Sequence, residues 1–271
     1  MKKCGCLLCK FNNPKPSTAG IIIKDQKILV AKRMREPYKG KWDFLGGYVE
    51  KGETPEDGHK REIKEEINVD CEVTFLGAFP GTAQYKDFEF PVLNFAYLTE
   101  LKGEIKLKKS ENSELKWIPV NELKTIAFDS NQKILKFVKD KFMYDLKYVR
   151  DLVAKLDPSA TVNEQSLYKA ILNGYISKIE KNGKIIGMGW IFPRQTLLRK
   201  QAVVEDMIVN EKYRGHGFGE KILRDLIAWA KKQDVEVIEL TTNPKRVAAN
   251  SLYQKVGFKL HPTNHYLLKL K

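Results

Sequence analysis

The chain has 271 residues, 42% of them hydrophobic and 30% charged, with a formal net charge of +14. That length has room for two domains of ordinary size, each able to bury a core, and the balance of apolar to charged residues excludes a disordered chain. No apolar run approaches the roughly twenty residues of a membrane-spanning helix, so no membrane partner is expected.

The charge is uneven. Residues 1–140 carry 25 Lys/Arg against 21 Asp/Glu, a net +4, whereas residues 141–271 carry 23 against 13, a net +10. A basic half implies an anionic partner, nucleic acid or polyphosphate. No nucleic-acid recognition motif accompanies the charge, which leaves a polyphosphate ligand or a plainly solvated surface. At the N-terminus Cys4, Cys6 and Cys9 cluster beside an apolar stretch too short for a signal peptide. A structural zinc site takes four ligands in paired C-x-x-C spacing, and only Cys6 and Cys9 have it. A reduced tail over residues 1–13 of a cytoplasmic protein is therefore the expectation, with zinc as the alternative.

Asn13-Pro14-Lys15-Pro16 opens a first domain, expected over residues 14–140. Ala19 to Ile23 and Lys27 to Lys32 read as short strands about a Lys24-Asp25-Gln26 turn. A polar loop, Arg35 to Asp43, leads to Gly46-Gly47, a pair that permits a tight backbone turn. Thr54 is a good N-cap, Pro55 suits the first helical position, and Glu56 and Asp57 suit the positive end of the dipole. On that helix Glu62, Glu65 and Glu66 stand at i, i+3 and i+4 and share one face, while Ile63 and Ile67 face a core. Like charges at i,i+4 repel by a few tenths of a kcal/mol, roughly. A hard cation reverses that sign, and Mg²⁺ takes a few carboxylates plus substrate phosphates.

Gly47, five residues, Glu53, seven residues, then Arg61-Glu62-Ile63-Lys64-Glu65-Glu66-Ile67-Asn68-Val69 resembles the Nudix box. The one departure is Asn68 where that family has glycine, and Asn is the next most tolerant residue for a left-handed helix end. The resemblance implies an α/β/α sandwich with a mixed sheet, Mg²⁺ or Mn²⁺ held by Gly47, Glu62, Glu65 and Glu66, and Glu65 and Glu66 as catalytic carboxylates. It makes Arg61 and Glu53 the groups that orient them. The family commonly draws a further glutamate from the loop before a tryptophan, here Trp117. Glu111 is the candidate and Glu114 the second choice, either of which could be a plain loop charge. The extra upstream motif of coenzyme A pyrophosphatases is not visible between Lys32 and Gly47.

Beyond the box, Cys71 to Ala78 and Phe88 to Leu98 read as strands, the second interrupted by Pro91 and so expected at an edge or bulge. Phe88, Phe90 and Tyr97 could stack a nucleobase, although strand packing is the commoner use. Asn121 to Leu123 resembles a short helix near the end of Nudix domains, and residues 131–140 read as a closing helix.

Past residue 140 the pattern changes. Tyr148 to Leu156 and Gln165 to Leu172 have helical spacing, and Tyr175 to Glu180 and Lys184 to Phe192 flank Asn182-Gly183, a two-residue hairpin signal. Ala202 to Val209 is a strand, followed by Arg214-Gly215-His216-Gly217-Phe218-Gly219 and a helix. A glycine-rich turn between strand and helix suits a pyrophosphate, because backbone N–H groups point at the anion. Val235 to Leu240 gives another strand, and the apolar stripe Ala249, Leu252, Tyr253 and Val256 ends at Gly257.

Arg214-x-x-Gly217-x-Gly219 matches the acetyl-CoA signature of the GNAT N-acetyltransferase superfamily, and Arg246 to Phe258 resembles that superfamily's later motif. The resemblance covers about residues 145–271, in a domain expected over 141–271, and implies a mixed central sheet flanked by helices. It places acetyl-CoA against Val209, Arg214, Gly215, His216, Gly217, Phe218, Gly219, Asn250 and Tyr253. Tyr253 matches the tyrosine that protonates the leaving thiolate, with a core aromatic as its plain alternative. Glu205 or Asp206 would accept the amine proton, and strand alternation allows only one of them to face the cleft.

The chain thus reads as an α/β (α+β) bifunctional enzyme. One half hydrolyses a nucleoside diphosphate linked to another group, such as ADP-ribose, a nucleotide sugar or a dinucleotide. The other half transfers acetyl to an amine. The alternative is a sensor whose domains bind nucleotide or coenzyme A without turnover.

Overall fold

In the computed structural model, residues 13–85, 88–106, 112–159, 161–268 and 270 are described. The chain divides into two compact units, residues 1–146 with 163–169, and residues 147–162 with 170–271. No helix among the described residues is long and apolar enough to cross a membrane.

The first unit begins with β1 (Lys15–Ile21), β2 (Ile23–Lys24), β3 (Lys27–Arg33) and β4 (Trp42–Asp43), then the box helix α1 (Pro55–Ile67). The long strands β5 (Cys71–Tyr85) and β6 (Phe88–Leu101) follow, then β7 (Asn112–Pro119) and α2 (Asp129–Phe142). One sheet has the order β1-β6-β5, with β1 parallel and β5 antiparallel to β6. The other pairs β3 with β2, β4 and β7, all antiparallel.

Helix α1 forms as its caps require. Thr54 Oγ1 accepts the Asp57 N–H at 3.1 Å, a cap of about 1 kcal/mol. Asn68 ends the helix in the left-handed conformation, φ 58°, with its N–H donating to the Lys64 carbonyl. Ile63 and Ile67 are fully buried among Ile22, Leu29, Ala31 and Leu45, and each contributes roughly 1.5–3 kcal/mol of apolar burial. The glutamate face is therefore fixed by what its opposite face buries.

One expectation needs correction. Asn121 to Leu123 is a turn rather than a helix, closed by the Glu122 and Leu123 N–H groups on the Pro119 carbonyl. Pro91 pairs Thr82 of β5 but lies one residue before β1 pairing begins at Lys15 opposite Val92, so β6 is a local edge there.

The second unit contains most of α3 (Leu146–Leu156), the end of α4 (Glu164–Asn173), then β8 (Tyr175–Lys181), β9 (Lys184–Gln195), β10 (Lys200–Val209), α5 (Phe218–Lys232), β11 (Val237–Leu240) and α6 (Val247–Val256). Its sheet runs β11-β10-β9-β8, parallel only between β10 and β11. Asn182 and Gly183 both take positive φ, as their hairpin demands. Helix α5 buries Ile222, Leu223, Leu226 and Ala230 against Ile191, Ala202 and Val204, and so holds the preceding glycine loop at the end of β10.

Candidate functional site

In the first unit, β1, the Gly46-Gly47 turn and α1 bring two carboxylates to one stretch of backbone. Glu66 Oε2 accepts the Gly46 N–H at 3.0 Å, and Glu66 is 7% exposed. Glu62 lies so close to Gly47 that a Cβ there would stand 2.4 Å from Glu62 Oε1. A side chain at 47 would displace that carboxylate from its place beside the turn.

Arg61 distributes the charge. Its guanidinium takes both oxygens of Glu53, at 2.8 and 3.1 Å, the Tyr48 carbonyl at 3.1 Å, Glu62 at 3.0 Å and Glu65 at 3.2 Å. The bond from Arg61, seconded by the Glu50 N–H, pulls the Glu53 carboxyl down to about 2. Of the three carboxylates expected on one face, Glu62 and Glu65 are bridged by Arg61 Nη1. Glu62 and Glu66 are turned toward the glycines, whereas the Glu65 side chain is 59% exposed and rests on Arg61.

Among the described residues no three His, Cys, Asp or Glu side chains stand together as a metal cluster. The donors at Gly46–Gly47 still suit a hard cation: two carboxylates and a backbone carbonyl, the small protein share that Mg²⁺ takes when phosphates and water complete its shell. Glu111 and the N-terminal cysteines lie outside the described residues. Glu114 is half exposed and pairs with Lys32 at 3.6 Å. Of the aromatics, Tyr97 is buried, Phe90 lies under Lys15 at 4.9 Å, and Phe88 is 52% exposed.

The second unit presents a cleft of about 980 Å³, lined by Met207, Ile208 and Val209 of β10, by Tyr213, Arg214, Gly215, Gly217 and Phe218, and by α6 residues including Ser251, Leu252 and Tyr253; His216 and Asn250, expected against the cofactor, are not in its lining. Lys155, Arg214, Lys245, Arg246 and Lys255 lie along it against a single acid, Glu220, whose carboxyl Lys255 and Arg224 hold below its usual range. Gly215 and Gly217 take φ of 80° and 77° with open space around them. Arg214 Nε donates to the Val209 carbonyl at 3.2 Å, and the exposed His216 donates from Nδ1 to the Arg214 carbonyl at 2.8 Å. Gly219 packs near Leu252, and Phe218 begins α5. Asn250 spends its amide on the carbonyls of Asn243 and Arg246, so it shapes the start of α6.

Tyr253 is 7% exposed. Burial raises its phenol above the ordinary range, and the nearby Arg246 guanidinium opposes that rise. The expected alternation at Glu205 and Asp206 is broken by a bulge between Glu205 and Ile208, with Asp206 at φ 50°. Burial raises both carboxyls, and Asp206 raises Glu205 further. Lys155 and Lys245 fall in no motif, and only the excess of charge in this half pointed to them; Arg246 opens the later motif but was given no role there.

A family model described as the NUDIX domain matches residues 14–140, and one described as the acetyltransferase (GNAT) family matches residues 143–258. An ADP-ribose pyrophosphatase of Methanocaldococcus jannaschii is 34% identical over 127 residues, covering 46% of this chain and 73% of that protein. An uncharacterized N-acetyltransferase of Bacillus subtilis, YobR, is 36% identical over 66 residues, covering 24% of this chain and 27% of that one. Among solved structures, a MutT NUDIX hydrolase from Burkholderia pseudomallei aligns with a TM-score of 0.42 at 25% identity, over 46% of this chain and 97% of its own.

Proposed function

The chain belongs to the Nudix family through its first half and carries a GNAT acetyltransferase domain in its second, and from that premise we propose a bifunctional enzyme with one hydrolytic and one acetyl-transferring centre. The first centre hydrolyses a nucleoside diphosphate linked to a second group. The observation that carries this reading is the convergence of Glu62 and Glu66 on Gly46–Gly47. The similar archaeal protein is named for ADP-ribose, a member of that substrate class.

Gly47 through its carbonyl, with Glu62 and Glu66, would hold Mg²⁺ or Mn²⁺, with Glu65 as a further candidate ligand. When bound, the cation neutralises phosphate charge and lowers the pKa of a water. The chain's own groups do the rest. Arg61 holds Glu53, Glu62 and Glu65 in place, and an ionised carboxylate of α1, Glu65 or Glu66, takes the proton from the attacking water. Glu111 is a further candidate for that role.

The second centre transfers acetyl from acetyl-CoA to an amine. The N–H groups of the 214–219 loop and the cations Arg214, Lys245 and Arg246 receive the pyrophosphate. The amine attacks the thioester carbonyl, a C–N bond forms and the C–S bond breaks. Tyr253 gives its proton to the departing sulfur. Glu205 or Asp206, whose carboxyls burial raises, accepts the amine proton.

A screen for nucleoside monophosphate release over ADP-ribose, nucleotide sugars, dinucleotides and nucleoside triphosphates tests the first centre. Hydrolysis should require Mg²⁺ and fall by at least about a hundredfold in Glu66→Gln, comparable to losing one preorganised charge contact. Undiminished turnover in that variant would overturn the assignment. An amine panel with acetyl-CoA tests the second.

A further inference from the structure

Beneath the Gly46–Gly47 turn runs a buried polar line that no part of the proposed chemistry uses. Thr18 of β1 donates its N–H to the Gly47 carbonyl at 2.8 Å, and its Oγ1 lies 3.5 Å from both the N and the O of Gly47. His59 of α1 places Nδ1 3.2 Å from Thr18 Oγ1 and Nε2 2.9 Å from Thr99 Oγ1 on β6. His59, Thr18 and Thr99 are 0%, 5% and 1% exposed. The ring stacks on Tyr97 at 5.2 Å, and Gly20 leaves room for it, since a Cβ there would lie 2.9 Å from His59 Cε1.

The donors fix the direction of this line. The Thr99 hydroxyl donates to the Tyr97 carbonyl at 3.2 Å, so its oxygen accepts from His59 Nε2–H. That leaves Nδ1 bare as an acceptor for the Thr18 hydroxyl, whose single proton faces both Nδ1 at 3.2 Å and the Gly47 carbonyl at 3.5 Å. Burial depresses the imidazole to about 4 and keeps it in this neutral form. His59 stands at i−3 and i−7 to Glu62 and Glu66, on the same side of the helix. The line therefore ties the carboxylate helix to the strand that holds the Gly47 carbonyl.

We propose that His59 is a positioning residue of the hydrolytic centre, acting through Thr18 to hold Gly47 against Glu62 and Glu66. The proposal rests on the reading of those groups as a cation site. A buried histidine could equally serve stability alone, so the test must separate metal binding from folding.

The experiment uses the full chain, with Mn²⁺ as the probe, titrated by calorimetry and by electron paramagnetic resonance. Thr18→Val keeps the shape and the backbone N–H while deleting the hydroxyl; His59→Ala combined with Gly20→Ala removes the ring and refills part of its space. Each is expected to weaken Mn²⁺ binding about tenfold, the usual effect of losing a group that orients a metal ligand. Combined, they should lose little more than either alone, because both break one line. Acetyl transfer by the second unit is measured alongside as a check on the rest of the chain.

A lowered melting temperature with Mn²⁺ affinity within twofold of the parent in Thr18→Val would overturn the proposal, as would full additivity of the two changes. Glu66→Gln separates the premises. If it binds Mn²⁺ as tightly as the parent, the cation site itself is misassigned. If it loses Mn²⁺ while Thr18→Val does not, only the role of His59 falls.

Discussion

The two centres use glycine for opposite reasons. Gly47 is crowded: its missing side chain is the space into which Glu62 fits. Gly217 has nothing within 4 Å, and what it supplies is backbone freedom at φ 77°. The first centre gathers negative charge on a capped, core-anchored helix whose carboxylates are already hydrogen-bonded. The second gathers positive charge and N–H groups on an open loop beside a wide cleft. A site for a small cation is built by close fit, and a site for a long polyphosphate by access.

Gly47→Ala tests the crowded side and should have the largest effect. Displacing Glu62 is expected to reduce pyrophosphate hydrolysis by about two to three orders of magnitude, the scale of removing one preorganised electrostatic contact. Acetyl transfer by the same sample should be unchanged, and parallel loss of both activities would show unfolding instead. Tyr253→Phe comes next. It should lower kcat for acetyl transfer by roughly ten- to a hundredfold with little change in KM for acetyl-CoA, as expected for a lost general acid.

A third expectation concerns pH and sets two buried groups of the first unit against each other. His59 is depressed to about 4 from 6.5, so the unfolded chain binds the extra proton and stability is lost as pH falls through that window. Burial raises Asp43 to about 6 from 3.8, against the pull of Arg33, so the folded chain binds the extra proton and stability is lost as pH rises. Each amounts to about 3 kcal/mol and they oppose, so unfolding free energy should be nearly flat between pH 4 and 6. Asp43→Asn should unmask a rise with pH and His59→Gln a fall; urea titrations at several pH values read both slopes.

The smallest effect belongs to the open side. Gly217→Ala places a Cβ in empty space at a strained φ, costing about 1 kcal/mol of stability and leaving KM for acetyl-CoA within about twofold. A loss as large as that from Gly47→Ala would erase the contrast between crowded and open glycines.

Much of this was legible in local sequence. The Thr54 cap, Pro55, the left-handed Asn68 and the Asn182-Gly183 hairpin each follow from one or two side chains and their immediate backbone. What could not be read depended on distant partners. Nothing near Arg61 in sequence says that one of its nitrogens would bond both Glu62 and Glu65 while Glu66 turns to the Gly46 N–H. His59 shows its use only once Thr18 and Thr99, some forty residues away on either side, close over it. The bulge at Asp206 was invisible because Ala202 to Val209 reads as one continuous strand, with no glycine or proline at Glu205-Asp206 to mark a break.

That bulge changes the arithmetic of its strand. Before it, even-numbered residues, Ala202 and Val204, enter the core shared with α5; after it, the odd-numbered Met207 and Val209 do. Removing Asp206 would bring both sets into one phase. The strand could then shed the residue and keep every apolar partner, so its packing has no need of the extra residue. What the extra residue alters is direction: the chain turns there, immediately before it runs into the cleft. Asp206 is in effect spare length, carried by a structural strand so that its last three residues can be aimed.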